Sequence, residues 1–302
     1  MELMQLLEGS PWTVVALAGV FGLLVGSFLN VVILRLPVMM EREWQQQCAE
    51  YLDTTSAAGK NAGKKTGKDA EKEERFDLIT PRSRCPGCRH QIRAIENIPI
   101  LSWLALRGRC SSCGKAISAR YPAIEAATAL LSMAIAWHFG ATVETLAALV
   151  LTFALIALSV IDYDHQLLPD NITLPFLWLG LLLNQFGLFT DGFSAVIGAV
   201  AGYLTLWSIY WLFRLLTGKE GMGYGDFKLL AMLGAWLGWQ LLLPVVLISS
   251  VLGAALGLTL IIVRGRDRQL PIPFGPYLAA AGWVALMWGS GIVEGYLDLA
   301  GW

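Results

Sequence analysis

The sequence predicts an all-α membrane protein with about eight transmembrane helices and one polar insert on the cytoplasmic side. Of its 302 residues, 56% are hydrophobic and only 15% are charged, whereas soluble domains carry about 25% charged residues. The charges are also unevenly distributed, because residues 35–120 hold 16 of the 22 Lys and Arg. The net charge of -1 and the apolar bulk exclude a disordered chain and a nucleic-acid-binding module that depends on positive charge.

Eight apolar runs, separated by turn residues, are the predicted spans. The sixth has only about 13 residues, which is roughly 20 Å of helix against a hydrocarbon core of about 30 Å. We therefore expect this run to form a half-depth helix that faces a cavity. The runs cover residues 12–34, 123–139, 146–161, 174–189, 193–213, 227–239, 242–263 and 274–292.

The distribution of basic residues predicts the orientation. No Lys or Arg precedes the first run, so this run does not have the basic start of a cleavable signal peptide. Placing residues 35–120 in the cytoplasm puts both termini outside, and the short outside loops then contain no Lys or Arg, as the positive-inside rule expects. The later inside loops carry Arg214, Lys219, Arg264, Arg266 and Arg268.

Three segments follow from this pattern. Residues 12–34 are the first transmembrane helix, residues 35–120 the cytoplasmic insert, and residues 121–292 the main membrane domain. Within the insert, residues 41–77 contain 16 charges in 37 residues, and their Lys/Gly/Ala-rich part has no periodic apolar face. This Lys/Gly/Ala-rich stretch, residues 55–72, is therefore predicted to be a mobile loop.

Four of the five cysteines form two C-x2-C pairs, with 21 residues between the pairs. Two such turns can direct four thiolates at one centre, which suits a structural Zn²⁺ with no open position for water. Disulfides or a redox-active pair are the alternatives, and a reducing cytoplasm disfavours structural disulfides. Cys48 is expected to be a lone thiol. The predicted zinc ligands are Cys85, Cys88, Cys110 and Cys113.

Two aspartates lie at the predicted cytoplasmic surface, 64 residues apart in sequence. Asp162 ends the third span, and Asp226 begins the sixth after three closely spaced glycines. Asp226 could instead be a helix N-cap, and we expect Asp164 and Asp170 to be a surface residue and a cap. Paired carboxylates can share one proton, so that one activates a water while the other polarises a carbonyl. The pair therefore predicts aspartic-protease chemistry.

At this point the chain resembles the bacterial type IV prepilin peptidases, membrane aspartic proteases of the GxGD class. The resemblance covers nearly the whole chain, and only the lysine-rich stretch at 55–75 looks added. The motifs that carry it are GSFLNVVILRLP (26–37), CPGC (85–88), NIPILSWL (97–104), RGRCSSC (107–113), ID (161–162), LPD (168–170) and GYGDFK (223–228).

The resemblance implies two activities. The family cleaves the basic leader of prepilins and pseudopilins after a glycine at the cytoplasmic face of the inner membrane, with catalytic aspartates that fall on Asp162 and Asp226. Members with the large insert then methylate the new N-terminal amine with S-adenosylmethionine. The glycine at position 108 is the candidate residue for this second activity, and the family's cysteine tetrad falls on the four cysteines above.

Two other classes remain open from the sequence. A polytopic transporter would use intramembrane acids to bind protons or ions, but it leaves the cysteine insert and the glycines before Asp226 unexplained. A non-enzymatic assembly scaffold would use the zinc insert only to dock partners. Cleavage of a leader by purified protein separates the peptidase from both.

Overall fold

The computed structural model describes residues 10–57, 76–219, 221–264 and 273–300. These residues form helices, short 3-10 turns and two isolated β-bridges, without a β-strand among them. Each of the eight apolar runs lies on a helix, and α2 belongs to the insert. In chain order the helices are α1 (Pro11–Ala57), α2 (Leu101–Ala105), α3 (Arg120–Phe139), α4 (Val143–His165), α5 (Asp170–Asn184), α6 (Gly192–Thr217), α7 (Tyr224–Leu237), α8 (Leu242–Arg264) and α9 (Gly275–Ala300).

Five helical segments of the described residues are long and apolar enough to cross a membrane, and they lie on α1, α4, α6, α8 and α9. The protein is therefore a multi-pass membrane protein. The helices α5 and α7 have 15 and 14 residues, only about 20 Å each, and α3 is less apolar because Glu125 lies within it. The total of eight spans and the orientation stay predictions.

Helix α1 differs from the prediction, because it continues without a break for 47 residues, from Pro11 to Ala57. At 1.5 Å per residue it is about 70 Å long, so it extends well beyond a bilayer. The mobile loop predicted at 55–72 is wrong for residues 55–57, which end α1, and the rest of that stretch lies outside the described residues. In residues 41–57 of α1 the charges come mostly from Glu and Arg, and several Gln residues lie beside them. These are good helix formers, and Gln45 donates a hydrogen bond to Glu41 one turn earlier.

Small residues bring α1 against α3. A Cβ atom at Gly22 or Gly26 would lie 2.8 Å from the Cα of Ala129 or Glu125, so only glycine permits this separation, as in other small-x3-small helix pairs in membranes. Closer to the insert, the Asn30 side chain donates to the carbonyl of Tyr121 at 3.2 Å. The start of α3 is therefore fixed against α1.

Helix α7 is the centre of the membrane domain. All its residues from Asp226 to Leu237 are buried except Lys228, which is partly exposed. Gly198 of α6 and Gly234 of α7 touch backbone to backbone, and Asn184 donates to the carbonyls of Ala235 and Trp236 at 2.8 and 2.9 Å. A short helix is tolerated here because protein surrounds it. It is enclosed rather than cavity-facing along most of its length.

Candidate active site and metal centre

The two predicted aspartates lie at the same end of the helix bundle. Asp162 is in the last turn of α4, and Asp226 is in the first turn of α7. Their exposed fractions are only 5% and 6%, and the charge of Asp162 acts electrostatically on the Asp226 carboxyl. Packing therefore brings together two carboxyls from separate helices in a site largely shielded from solvent.

Helix α9 completes this site with its first residue. The backbone N–H of Gly275 donates to Asp162 Oδ2 at 2.9 Å in a buried hydrogen bond. A Cβ at Gly275 would lie 2.6 Å from the same oxygen, which is closer than real Cβ atoms approach. The side chain of Leu168 touches both Gly275 and Gly225, so it joins the two glycine-bearing helix starts around the carboxyls.

Asp226 is not a helix cap, so that alternative is wrong. Helix α7 begins at Tyr224, its N-cap is Gly223, and no side chain caps it. Asp226 Oδ1 is buried and accepts no hydrogen bond from the described residues. A buried polar atom without a partner costs about 1–3 kcal/mol, so its retention points to a partner such as a water or a substrate group.

The neighbouring acids are paired, in contrast to the dyad. Asp164 forms an ion pair with Arg120 at the start of α3. Asp170 accepts both its hydrogen bonds from Lys228 Nζ at 2.7 Å. The capping role expected for Asp170 is not observed, because the N-cap of α5 is Pro169 and has no side-chain bond. These pairs tie the helix ends together around the site.

The four cysteines of the insert also converge. Their sulfur atoms lie within 4.8 Å of one another. The Cys85–Cys113 and Cys88–Cys110 sulfur distances are 3.8 and 4.0 Å, far beyond the roughly 2.05 Å of a disulfide. Zn–S bonds of about 2.3 Å in a tetrahedron fit such separations. One isolated β-bridge flanks each pair, Arg84 with Gln91 and Arg109 with Ala116.

Backbone amides favour a thiolate at this centre. The N–H groups of Cys88 and Gly87 lower the pKa of the Cys85 thiol to about 6, and the neighbouring Cys110 and Cys88 sulfurs act in the same direction. The Lys115 N–H lowers the pKa of the Cys113 thiol, but the sulfurs around it raise this pKa to about 11. Glu96 bridges the two cysteine turns, since it accepts from the Arg93 N–H at 2.9 Å and from Ser111, and contacts His90. The Arg93 and Ser111 donors hold the pKa of Glu96 at about 2.

Gly108 has a structural reason to be glycine. It is buried, its φ is +66°, and its N–H donates to the Trp103 carbonyl at 2.8 Å. A Cβ there would lie 2.9 Å from the Trp103 ring. Its role in cofactor binding stays a prediction, because nothing in this contact identifies a ligand.

Sequence reasoning missed Gly275, Lys228 and Arg120 as parts of the site. Gly275 follows Pro273 and Phe274 at the predicted cytoplasmic start of the last run, and a glycine at that depth was the available signal. The ion pairs of Lys228 with Asp170 and of Arg120 with Asp164 could have been predicted only if the neighbouring helices were known.

Two family models match the chain. Residues 20–139, which include the four cysteines, match the bacterial peptidase A24 N-terminal domain, and residues 149–258, which include both aspartates, match the type IV leader peptidase family. A prepilin leader peptidase/N-methyltransferase of Stutzerimonas stutzeri is 56% identical over 98% of both chains. Proteins with the same description from Pseudomonas putida and Pseudomonas aeruginosa are 55% and 54% identical, over 100% of this chain and 100% and 99% of theirs. No solved structure matches. The chain is an enzyme of the type IV leader peptidase family, a family of aspartic peptidases.

Proposed function

We propose that this enzyme cleaves the basic leader of type IV prepilins or pseudopilins after a glycine and then methylates the new N-terminal amine. The single observation that supports the peptidase part is the buried carboxyl pair, in which Asp226 Oδ1 has no described partner. The names of the relatives support both activities. Membership of a peptidase family sets aside the transporter and the scaffold.

The dyad would work as a unit during hydrolysis. One carboxylate takes a proton from a water while the water oxygen attacks the glycine carbonyl carbon, and the other carboxyl gives its proton to the carbonyl oxygen. The C–N bond then breaks, and a proton moves to the leaving amine. Closely spaced carboxyls in a shielded site titrate as a pair, so the roles belong to the dyad of Asp162 and Asp226 rather than to fixed partners.

The position of the dyad suits a substrate with a polar leader and an apolar helix. Both aspartates lie at helix ends, on the side where the insert begins and α3 starts. In the orientation that we propose, this is the cytoplasmic face of the inner membrane. The apolar helix of the substrate would lie beside the spans, and the leader would stay in the cytoplasm.

The cysteine centre would be a structural zinc site. The donor set fits, because four sulfurs converge and a tetrahedral ion would have no open position. Cys85, Cys88, Cys110 and Cys113 would hold the ion and fix the insert. In the division that we propose, residues 12–34 anchor the insert, residues 35–120 include the methyl-transfer region with Gly108, and residues 121–292 contain the peptidase. S-adenosylmethionine supplies an electrophilic methyl group when bound.

The test uses detergent-purified protein and a prepilin. We expect mass spectrometry to show cleavage after the glycine that precedes the mature sequence, and a gain of one methyl group on the new amine only when S-adenosylmethionine is added. The matched control is the same prepilin with that glycine replaced by a bulky residue, which should remain intact. An intact wild-type prepilin would refute the peptidase proposal.

A further inference from the structure

A cavity lies between the cysteine domain (residues 76–119) and the cytoplasmic parts of α1 and α3. Its volume is about 510 Å³, within the roughly 300–1,000 Å³ that holds a small ligand. The proposed peptidase chemistry does not use it. The residues that matter for its chemistry are Asn30, Arg35, Glu96, Trp103, Tyr121 and Glu125.

One wall of the cavity is a fixed aromatic ring. The Trp103 indole N–H donates to the Ile117 carbonyl at 3.2 Å, and Gly108 lies against the ring. The hydrogen bond to Ile117 and the packing of Gly108 together fix the orientation of the ring. Little side-chain entropy is therefore lost when a planar group stacks on it. Stacking on such a ring is worth about 1–3 kcal/mol for a nucleobase.

The charged groups of the lining have both signs. Arg35, Arg84 and Lys115 face the cavity together with Glu96 and Glu125. Glu125 accepts from the Ile100 N–H at 2.8 Å, and Glu96 is fixed between the cysteine turns. A basic leader would meet more positive than negative groups in this lining. A ligand that has an amino group, a carboxylate and a cationic sulfur, in contrast, finds partners for both signs of charge.

The cavity is linked to the peptidase site by one ion pair. Tyr121 lines the cavity, and the adjacent Arg120 pairs with Asp164, two residues after Asp162. The start of α3 therefore touches both places.

We propose that this cavity binds S-adenosylmethionine with its adenine on Trp103, and that Gly108 is a positioning residue that acts on this ligand through Trp103. The inference rests on the proposed methyl transfer and adds the place of binding. It also gives the predicted role of Gly108 a physical basis, since any Cβ there displaces the ring.

The first experiment fills the cavity. Ala116 lines it, and Ala94 is an exposed alanine of the same domain outside it. We expect Ala116→Trp to weaken the binding of labelled S-adenosylmethionine, measured by equilibrium dialysis, by about tenfold or more. Ala94→Trp should bind like the wild type, and both variants should keep their zinc. Wild-type affinity in a zinc-loaded Ala116→Trp protein overturns the proposal.

The second experiment separates contact with Trp103 from backbone strain. Gly108 and Gly114 both have positive φ, +66° and +70°, but a Cβ at Gly114 meets nothing within 4 Å. We expect Gly108→Ala to lose donor affinity and Gly114→Ala to keep it. Equal affinities in the two variants contradict the role of Gly108.

Photo-cross-linking of the labelled donor to the wild-type protein needs no variant. Cross-linked peptides should fall within residues 27–35, 83–118 or 121–125, and a cross-link elsewhere overturns the assignment. If the wild type binds and transfers the methyl group but the label maps elsewhere, only the location fails. If it neither binds nor transfers, the methyl-transfer part of the proposed function fails as well.

Discussion

The two sites of this protein are held in place by different physical means. In the cysteine domain, neither the 3-10 helix at Ala94–Asn97 nor α2 has a buried residue, and Cys85 is one of its few buried side chains. At the dyad, α7 is buried along nearly its whole length. The first site depends on ligands and hydrogen bonds, while the second depends on packing. Removal of the metal should therefore affect the cysteine domain, and a change in a packed contact should affect the dyad.

The largest expected effect is loss of the dyad. Asp162→Asn or Asp226→Asn keeps the side-chain size but removes the carboxyl that can take up or release a proton, so either change should abolish leader cleavage. The double variant should be no worse than either single variant, because groups that act as a unit are non-additive. Cleavage is measured by the mobility shift of a prepilin, and zinc content should not change.

Asp164→Asn is the matched control for these variants. Asp164 lies two residues after Asp162 on α4, but its carboxylate is paired with Arg120. It should retain most of the cleavage. Substantial cleavage by folded Asp162→Asn or Asp226→Asn protein would show that the two acids are not the catalytic pair.

Removal of the metal should unfold the cysteine domain without unfolding the membrane helices. Chelation, or Cys88→Ser, takes away a ligand set on which a domain with little core depends, and structural zinc can contribute about 10 kcal/mol or more to folding. We expect proteases to cut within residues 76–119 while the membrane helices stay protected. Cys48→Ser is the control, because Cys48 is exposed and apart from the four converging sulfurs. Unchanged protease resistance after complete chelation would contradict a structural metal.

Gly275→Ala tests whether packing at the start of α9 positions the Asp162 carboxyl. The new Cβ would lie 2.6 Å from Asp162 Oδ2, so the carboxyl or the start of α9 must shift. A displacement of about 1 Å at reacting groups can cost about 10²-fold in rate, and we expect cleavage to fall by about 10- to 100-fold. Gly291→Ala on the same helix has open space and should cleave normally. Equal rates in the two variants would show that the Gly275 contact does not position Asp162.

These differences also explain what the sequence could predict. Spacing alone predicted the convergence of the four cysteines, because each C-x2-C turn is local, and hydropathy located the eight helical runs. Charge asymmetry predicted that Asp162 and Asp226 share a face. The contact of Gly275 with Asp162 joins residues 113 apart and follows from which helices are neighbours, which no local pattern encodes. The extension of α1 to Ala57 does not follow from hydropathy, because the apolar run ends at Leu34 and the residues beyond it continue the helix with polar helix formers.

The smallest expected effect concerns Glu96 in the cysteine domain. Its pKa is lowered from 4.5 to about 2 by the Arg93 N–H and Ser111, so its ionised form stabilises the fold. That stabilisation is fully present above about pH 4.5 and is lost as the pH falls toward 2. Glu96→Gln should lower the temperature of zinc release by a few degrees, by the same amount at pH 7 and pH 5.5.

The comparison of the two pH values makes this prediction specific. The cysteine thiols also bind protons as the pH falls, and zinc release should therefore become easier in both proteins. Only the difference between Glu96→Gln and the wild type reports on Glu96, and glutamine has no charge to lose. A gap that closes between pH 7 and pH 5.5 would place the Glu96 titration near neutrality, which the three contacts with Arg93, Ser111 and His90 argue against. Glu294→Gln, outside the cysteine domain, should leave the release temperature unchanged at both values.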